Sequence, residues 1–448
     1  MPTYLSYSGF PRQAVGTLIK QMPATHRRRR IGLFAVALTC RLAALAPALA
    51  DSSRLLVPPD STEYVSIARN LNAGHGFSSD TSPAYHQDLR RTPVYPFLLA
   101  AVFRLPHAGI RTAAVVGAVL GSLAAVVTYG LALQLFGSHA ALAAGLLLAV
   151  DASSVSYDVV LLTEGLFTLL IVSSALWLSK RPFVGRNLAG AALLLGAAIL
   201  CRPIALLLPI AVLPIVIWRS TGVKRVLRDY VLVNAIGGLA AALWVARNAL
   251  VAGVVTYSSI GAVNLYFHRA AAIQARIEGR DVEVVRDAWQ RQFDVTSGSA
   301  SEQAKLAQLE EQGWDLITRH PGIYVRAYAA ALVRMAGPDG EVLGQLVSAG
   351  RETPAVGWLI GASALQLLVT YAAAAVGLCD AAVRAARRSA MVVPLTFLAY
   401  FIVAAGPEVY PRFRVPMMPF IVILSGAGFQ TLRVHRSGGR ASSLAGVE

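Results

Sequence analysis

Four carboxylates and three arginines stand out because they border long apolar runs of the sequence. The carboxylates are Asp60, Glu63, Asp158 and Glu164, and the arginines are Arg91, Arg412 and Arg414. A carboxylate can take the proton of a hydroxyl group, and a guanidinium group binds phosphate through two parallel hydrogen bonds. Together these residue types suit a reaction in which a hydroxyl loses its proton while a phosphate leaves, because arginines stabilise the charge that grows on the phosphate.

These residues also have structural interpretations. Asp60 can cap a helix that begins at Ser61. Glu164 lies inside an apolar helix, where an acid is costly and indicates function by default, but an ion pair with Arg202 would also hold it there. The arginines before the last apolar run can extend to the membrane interface without binding anything. The residue pattern alone leaves both interpretations open.

The composition indicates which elements position these residues. The chain has 448 residues, of which 56% are hydrophobic and 14% charged, and its mean hydropathy is +0.57. Soluble domains carry about 25% charged residues, disordered chains are poor in apolar residues, and a nucleic-acid-binding protein would be less apolar. The three cysteines have neither metal-site nor disulfide spacing. The composition therefore predicts an all-α polytopic membrane protein.

Apolar runs predict a bundle of about ten transmembrane helices. A helix that crosses the bilayer without tilt needs about 20 mostly apolar residues. The runs are 31–50, 111–136, 140–150, 159–178, 188–201, 203–218, 231–250, 354–378, 390–405 and 415–432. Pro203 is expected to separate the fifth run from the sixth, because proline lacks a backbone donor and clashes with the preceding turn.

Positive charge is concentrated on one side of this bundle. Cations cluster in the N-terminal tail, in loops 180–186, 219–228 and 384–388, and after residue 432, and together these segments carry the whole net charge of +16. The positive-inside rule makes this side cytoplasmic. Both termini are therefore expected in the cytoplasm and the carboxylates and arginines outside. Because the rest of the chain is neutral, the charge does not call for a nucleic-acid partner.

The predicted organisation is one transmembrane domain between two basic tails. The domain spans 31–432, and the tails are 1–30 and 433–448. Two outside loops, 51–110 and 251–353, are long, but neither has the pattern of a soluble domain with its own core. The first of these is the expected catalytic loop.

Two amphipathic stretches within the outside loops, and between them an apolar stretch that is too short to span, predict helices that lie at the membrane surface. They are 61–72, 93–105 and 320–335. The N-terminus has a second interpretation, since a basic run followed by an apolar run that ends at Ala48-Leu49-Ala50 is also the pattern of a cleaved signal peptide.

The order of short motifs along the chain resembles that of GT-C membrane glycosyltransferases. In particular, it resembles bacterial enzymes similar to dolichyl-phosphate-mannose–protein mannosyltransferases and aminoarabinose lipid A transferases. The motifs are Asp60-x-x-Glu63-Tyr64, Ala68-Arg69-Asn70-Leu71, Gly74-His75-Gly76-Phe77, Arg91-x-Pro93-x-Tyr95-Pro96, Thr163-Glu164, Arg202-Pro203, Trp244-x-x-Arg247-Asn248, Gly261-x-x-Asn264-Leu265-Tyr266 and Arg412-x-Arg414-x-Pro416-x-x-Pro419. Each motif is degenerate by itself, but the ordered set is specific.

This resemblance implies a GT-C-like bundle and transfer of a sugar from a polyprenyl-phosphate donor to a hydroxyl of a lipid, glycan or protein, with inversion. The site would face the outside of a bacterial cytoplasmic membrane. The resemblance implies that Asp60 is the catalytic residue, which deprotonates or orients the acceptor hydroxyl. Because the chain ends soon after Arg436, we expect no separate acceptor-binding domain.

The resemblance also implies roles for the other candidates. Support of the acceptor or of a divalent metal ion falls to Glu63, Glu164 and Asp158. Binding of the lipid phosphate falls to Arg91, Arg412 and Arg414. Weaker candidates for the site are Tyr64, His75, Tyr85, Arg202, Arg247, Asn264 and Glu408.

Two other function classes fit parts of the sequence. A flippase or transporter of polyprenyl-linked sugars fits the basic composition and the proline-interrupted helices. Transporters often show inverted repeats with broken helices at the membrane midplane, and the sequence has no visible repeat of this kind. A structural scaffold would leave the acids beside the helix ends unexplained. Cleavage of a sugar–phosphate bond distinguishes the transferase from both.

Overall fold

The computed structural model describes residues 24–180, 183, 185–296 and 300–444, and these residues form helices and connecting loops without a β-strand. The predicted all-α polytopic class is confirmed. The ends of the two predicted tails, residues 1–23 and 445–448, lie outside the described residues.

The described residues up to Ala252 form eleven α-helices. They are α1 (Ala24–Leu45), α2 (Asp60–Ala73), α3 (Val94–Phe103), α4 (Ile110–Phe136), α5 (Ser138–Ala149), α6 (Ala152–Val159), α7 (Glu164–Ser179), α8 (Gly185–Ile199), α9 (Leu208–Ala211), α10 (Leu213–Arg219) and α11 (Val223–Ala252). Turns of 3₁₀-helix lie at Ala46–Ala48, Ser52–Leu55 and Pro203–Ala205. The predicted break at Pro203 is present, because α8 ends at Ile199 and helical structure resumes at Pro203.

The second half begins with short helices and ends with long ones. They are α12 (Ile260–Val263), α13 (Ala271–Glu278), α14 (Val282–Thr296), α15 (Glu302–Arg319), α16 (Pro321–Ala336), α17 (Glu341–Ser348), α18 (Pro354–Val383), α19 (Ala385–Ala404) and α20 (Met418–Leu444). A π-helical segment, Asn264–Ala270, joins α12 to α13, and a 3₁₀ segment, Pro411–Met417, leads into α20.

Six helical segments among the described residues are long and apolar enough to cross a membrane. They are 24–48, 110–136, 223–252, 354–383, 387–404 and 411–435, and the pair α5–α6, bent by 55°, makes a seventh if it counts as one span. Each of the ten predicted apolar runs overlaps helical structure. The remaining runs, in α7, α8 and 203–219, form helices too short to pass the same test, and prolines at 209 and 214 subdivide the last of them.

The main apolar core joins the long helices of the bundle. Its buried side chains come from α1, α4, α5, α7, α8 and α20, among others. Small residues let the helices approach closely, as is usual in membranes. A Cβ on Gly377 of α18 would lie only 3.0 Å from the backbone nitrogen of Gly428 in α20. A side chain at this contact would therefore force the two helices apart.

A second apolar core attaches parts of segments 51–110 and 251–353 to one end of the bundle. It includes Tyr64 of α2, Leu99 of α3, Tyr157 of α6 and Leu346 of α17. The helices predicted at 61–72, 93–105 and 320–335 are present as α2, α3 and α16, while their position at a membrane surface stays a prediction. This core places the start of α2 beside the start of α7, where the acids meet the arginines.

Candidate active site

Asp60 lies at the centre of a group of acids and arginines that come from distant parts of the chain. α2 begins at Asp60, so Asp60 and Glu63 lie one turn apart on the same helix face. Arg91 reaches both acids, with its Nη2 2.6 Å from Asp60 Oδ1 and its Nε 2.6 Å from Glu63 Oε2. Arg412 Nη1 lies 2.6 Å from Asp60 Oδ2. The two oxygens of Asp60 are thus bound by two different arginines.

The helix-cap interpretation of Asp60 is wrong. The residue before α2 is Pro59, and no side chain caps this helix end. The Asp60 carboxylate points to Arg91 and Arg412 instead, and 24% of its side chain remains exposed. Asp60 is therefore free to meet a ligand that approaches from the outside of the cluster.

Glu164 extends the group on the far side of Arg412. It is the first residue of α7 and is fully buried, and its Oε1 accepts hydrogen bonds from Arg412 Nε and from Arg202 Nη1, the latter at 2.5 Å. The predicted ion pair with Arg202 is present, but it shares the carboxylate with Arg412. Only 9% of the Arg412 side chain is exposed, and its guanidinium group binds Glu164. The alternative in which Arg412 extends to the membrane interface is therefore wrong.

These residues define the acid–arginine cluster. Its members are Asp60, Glu63, Glu164, Arg90, Arg91, Arg202 and Arg412. Arg90, which the motif analysis did not single out, contacts Glu63 with its Nη1 2.9 Å from Oε1. Four guanidinium groups face three carboxylates, so the ionised cluster carries one net positive charge.

Local hydrogen bonds hold the Arg90–Arg91 segment in place. Asp88 Oδ1 accepts from the backbone nitrogens of Arg90 at 2.9 Å and Arg91 at 2.7 Å, an aspartate turn that a short polar side chain makes readily. Ser258 donates to the carbonyl of Arg90 at 2.6 Å, and Arg247 donates to the carbonyl of Asp88 at 3.1 Å. Arg247, a weaker candidate, therefore supports this loop and does not contact the cluster.

Tyr64 supports Arg91 from below. Its buried ring lies 4.9 Å from the guanidinium carbon of Arg91, a cation–π distance. Burial raises the pKa of the Tyr64 hydroxyl, so this side chain is a neutral partner. The ring fixes the plane of a guanidinium group that already contacts Asp60 and Glu63.

The arginines keep the Asp60 carboxylate ionised. Burial raises its pKa, but the charges of Arg412 and Arg91 and their hydrogen bonds outweigh burial and hold the pKa well below its usual range. The charge of Asp60 also acts on the imidazole of His268, which belongs to a distant part of the chain. Burial and the charge of Arg286 lower the pKa of His268 to about 4, so the imidazole is neutral near pH 7.

Two predicted site residues lie outside the cluster. Asp158 forms a separate buried pair with Arg41, whose Nη2 is 2.7 Å from its Oδ2. Arg414 is also buried, and it donates to the carbonyls of Met335, at 2.6 Å, and of Gly337, and to Ser153 Oγ at 2.8 Å. We correct both assignments, because the Asp158 carboxylate and the Arg414 guanidinium group are occupied by other parts of the protein.

The remaining weaker candidates are not brought to Asp60 by any described contact. His75 and Tyr85 stack on each other with ring centroids 4.0 Å apart. Asn264 begins the π-helical segment. Glu408 pairs with Arg269 at 2.9 Å. Sequence reasoning missed His268 and Arg269, because they lie just beyond the motif that ends at Tyr266 and approach the site only through folding.

The acids of the cluster do not fit a divalent metal ion. Within the described residues, no three histidine, cysteine, aspartate or glutamate side chains are grouped as metal ligands would be. Asp60, Glu63 and Glu164 each contact an arginine, and a cation would have to displace these guanidinium groups. The predicted metal option is therefore not used in the function proposed below.

Comparison with known proteins gives one family match. The model of the family described as dolichyl-phosphate-mannose-protein mannosyltransferase matches residues 90–247, a stretch that includes Arg91, Glu164 and Arg202. No curated protein matches the chain by sequence.

Comparison with solved structures gives similarity to two enzymes, and the TM-scores for the archaeal one reach 0.5. An oligosaccharyltransferase of Archaeoglobus fulgidus tethered with an acceptor peptide has a TM-score of 0.52 and 13% identity, over 91% of this chain and 50% of that chain. The apo form has a TM-score of 0.51 and 13% identity, over 93% and 52%. ArnT from Cupriavidus metallidurans bound to undecaprenyl phosphate has a TM-score of 0.40 and 17% identity, over 93% and 78%.

The chain spans about half the length of the archaeal enzyme, and at these identities the likeness concerns the fold. The family match adds evidence from the sequence, and it includes the segment that carries Arg91. The family match and the shared fold together confirm the resemblance to GT-C membrane glycosyltransferases that the order of motifs predicts.

Proposed function

We propose that the protein is a membrane glycosyltransferase that moves a sugar from a polyprenyl-phosphate donor to a hydroxyl group of an acceptor, with inversion, at the outer face of a bacterial cytoplasmic membrane. The observation that carries the proposal is the Asp60 carboxylate held between Arg91 and Arg412. This arrangement puts a base beside a phosphate-binding pair of guanidinium groups. The matched family, named for a dolichyl-phosphate sugar, supports the class of donor.

The charge of the cluster suits this donor. A sugar joined to a polyprenyl phosphate is a phosphodiester with one negative charge, and the cluster carries one excess positive charge. Binding would therefore neutralise the site in a region where unpaired charge is costly. Arg91 and Arg412 are the proposed phosphate ligands, while Glu63 and Glu164 hold the other edges of these guanidinium groups in place.

The proposed reaction is a single displacement. The acceptor oxygen forms a bond to the anomeric carbon on the face opposite the phosphate, and the bond from that carbon to the phosphate oxygen breaks. Asp60 takes the proton of the acceptor hydroxyl. The bonding electrons leave on the polyprenyl phosphate, whose growing charge is stabilised by Arg91 and Arg412.

Donor binding would also prepare Asp60 for its role. In the free protein the pKa of Asp60 is held well below its usual range despite burial, because Arg412 and Arg91 are both bound to it. A phosphate that engages the same arginines weakens their hold on the carboxylate. The pKa of Asp60 then rises, and the carboxylate becomes a stronger base only when the donor is in place.

Replacement of Asp60 tests the proposal. Purified wild type in proteoliposomes is given undecaprenyl phosphate carrying labelled mannose or arabinose with a membrane lipid extract, and labelled product and free undecaprenyl phosphate are measured. Asp60→Asn is expected to reduce transfer by about 10³-fold, as for loss of a general base. Asp287→Asn, at an exposed aspartate of α14, is the matched control.

Two results would contradict the proposal. Full transfer by Asp60→Asn would remove Asp60 from the catalytic role. Movement of intact labelled lipid across the membrane by the wild type, without release of undecaprenyl phosphate, would establish the flippase alternative instead.

A further inference from the structure

A second polar cluster lies beside the acid–arginine cluster and takes no part in the steps proposed above. We call it the Glu408 cluster, and its members are Arg269, Tyr324, Tyr328 and Glu408. Arg269 Nε lies 2.9 Å from Glu408 Oε1, and the charges of Arg269 and Glu408 both act on the Tyr324 hydroxyl. Tyr324 and Tyr328 lie one turn apart on α16 with ring centroids 6.4 Å apart. The cluster thus joins the π-helical segment, α16 and the loop between α19 and the 3₁₀ segment.

Two polar atoms of this cluster are buried without a partner among the described residues. They are Oε2 of Glu408 and the hydroxyl of Tyr328. Only 9% of the Glu408 side chain is exposed. Buried polar atoms are nearly always hydrogen-bonded, so each exception needs an explanation. The ion pair with Arg269 accounts for one oxygen of Glu408 and leaves the other available to a ligand.

The backbone beside Glu408 is shaped around this carboxylate. A Cβ on Gly406 would overlap Glu408 Oε2 and would lie 2.7 Å from Arg269 Nε. Any residue larger than glycine at this position would therefore push the carboxylate or the guanidinium group away. The positions of the Glu408 carboxylate and the Arg269 guanidinium group thus depend on a glycine at residue 406.

The Glu408 cluster adjoins the proposed phosphate site at two points. Glu408 and Arg412 lie four residues apart in the segment that leads into α20. On the other side, Arg269 follows His268, whose imidazole interacts electrostatically with Asp60. In the donor the sugar is bonded directly to the phosphate. Groups next to the phosphate ligands are therefore in the right region to contact the sugar.

We infer that the Glu408 cluster binds hydroxyl groups of the donor sugar and thereby selects which sugar is transferred. This inference rests on the proposed function. Glu408 Oε2 accepts a hydrogen bond from one hydroxyl, and the Tyr328 hydroxyl donates to or accepts from a second. Sites that hydrogen-bond a substrate hydroxyl reject analogues without it strongly, because their buried groups are then left unpaired.

Lipid binding to the full chain in nanodiscs tests the inference without an acceptor. The ligands are undecaprenyl phosphate alone and undecaprenyl phosphate carrying mannose or arabinose, and the variants are Glu408→Gln and Tyr328→Phe. At least one sugar-bearing lipid should bind the wild type at least tenfold more tightly than the bare lipid. Both variants should reduce this preference at least fivefold and leave the affinity for the bare lipid within twofold.

Tyr328→Phe separates binding from structure, since it removes only a hydroxyl that has no partner in the described protein. If the Tyr328 hydroxyl had a merely structural role, the substitution would lower stability and leave the sugar preference unchanged. The matched control for Glu408→Gln is Glu311→Gln, at an exposed glutamate of α15, which should retain the wild-type preference.

The inference is overturned if both variants keep the sugar preference of the wild type, or if no sugar-bearing lipid of the panel binds more tightly than the bare lipid. This outcome differs from failure of the proposed function. Sugar-selective binding without transfer would contradict the transferase and leave the Glu408 cluster as a sugar site. Sugar transfer by the wild type, with an unchanged sugar preference in both variants, would support the transferase and contradict the sugar site.

Discussion

Two arrangements of acid and arginine in this protein differ in the balance of their charges and in their exposure to solvent. Arg41 and Asp158 form a closed pair, in which Arg41 is fully buried and donates to Asp158 at 2.8 Å and to the carbonyl of Ala37 at 3.1 Å. In the acid–arginine cluster each carboxylate is shared between arginines, one positive charge remains in excess, and Asp60 is partly exposed. The closed pair suits a structural role, and the open cluster suits ligand binding.

The closed pair still matters to the site, because it fixes α6. Asp158 lies at the end of α6 and Arg41 in α1, while Ser153 in the same helix accepts from Arg414 at 2.8 Å. α6 leads directly to Glu164 at the start of α7. Its ion pair therefore positions one edge of the cluster without touching a substrate.

The largest effect on stability is expected from breaking the closed pair. Asp158→Ala leaves Arg41 buried without a counter-charge, which should cost about 3–5 kcal/mol of unfolding free energy. Denaturation in detergent measures this loss. The double variant Arg41→Met with Asp158→Leu should recover most of it, because apolar pairs of similar volume often replace buried ion pairs without loss. If the stable double variant transfers sugar more than tenfold more slowly than wild type, the pair belongs to the active site after all.

In the open cluster we expect a large effect on catalysis and a small effect on stability. Arg412→Gln removes one of the two proposed phosphate ligands and should lower kcat by about 10²–10³-fold, as for loss of one donor to a developing charge. Glu164 and Asp60 each keep another arginine, so the unfolding midpoint should change little. Arg326→Gln, at an exposed arginine of α16, is the control. A large loss of stability with unchanged kcat would place Arg412 with the structural pair.

The comparison also shows what the sequence could predict about the site. Asp60, Glu63 and Arg91 belong to one loop and one motif series, and folding brings them into direct contact. Arg412 and Arg414 look equivalent in the sequence because both precede the last apolar run. In the 3₁₀ segment, which turns by a third of a circle per residue, residues two apart point in different directions. Arg412 meets Asp60, whereas Arg414 turns to the carbonyl of Met335.

Fold prediction was limited in a different way. Apolar runs locate helices well, since each of the ten runs overlaps helical structure. Whether a run crosses a membrane depends on its length and on bends, and the 55° bend between α5 and α6 leaves no mark in hydropathy. The Glu408 cluster could not be predicted, because Arg269, Tyr324 and Glu408 meet only through the packing of the π-helical segment, α16 and the loop after α19.

A smaller effect is expected from the ring beneath Arg91. Tyr64→Leu removes the cation–π contact at 4.9 Å, which is worth about 0.5–2 kcal/mol. The affinity for undecaprenyl phosphate should fall by about 2–30-fold, the equivalent of that energy. Tyr64→Phe keeps the ring and should retain wild-type affinity. Equal losses in both variants would show that the hydroxyl, and not the ring face, supports Arg91.

The smallest effect concerns pH. In the free protein Arg412 and Arg91 outweigh burial and hold the pKa of Asp60 well below its usual range, so the carboxylate is ionised throughout pH 5.5–7.5. Burial and Arg286 hold the pKa of His268 at about 4, so His268 is neutral over the same range. The donor phosphodiester does not titrate there either. We therefore expect kcat/KM to vary less than twofold between pH 5.5 and 7.5.

The same pKa shift fixes the sign of two further pH effects. Ionised Asp60 stabilises the fold above the ordinary aspartate pKa of about 4, and this contribution is lost as pH falls through the lower pKa of the folded protein. Once the donor phosphate engages Arg91 and Arg412, the pKa of Asp60 rises, so the acidic limb of kcat should lie at higher pH than that of kcat/KM. Steady-state rates at several pH values measure both limbs. A limb of kcat/KM near pH 6.5 that disappears in His268→Gln would show instead that His268 titrates in the free enzyme. The lowered pKa assigned to His268 would then be wrong.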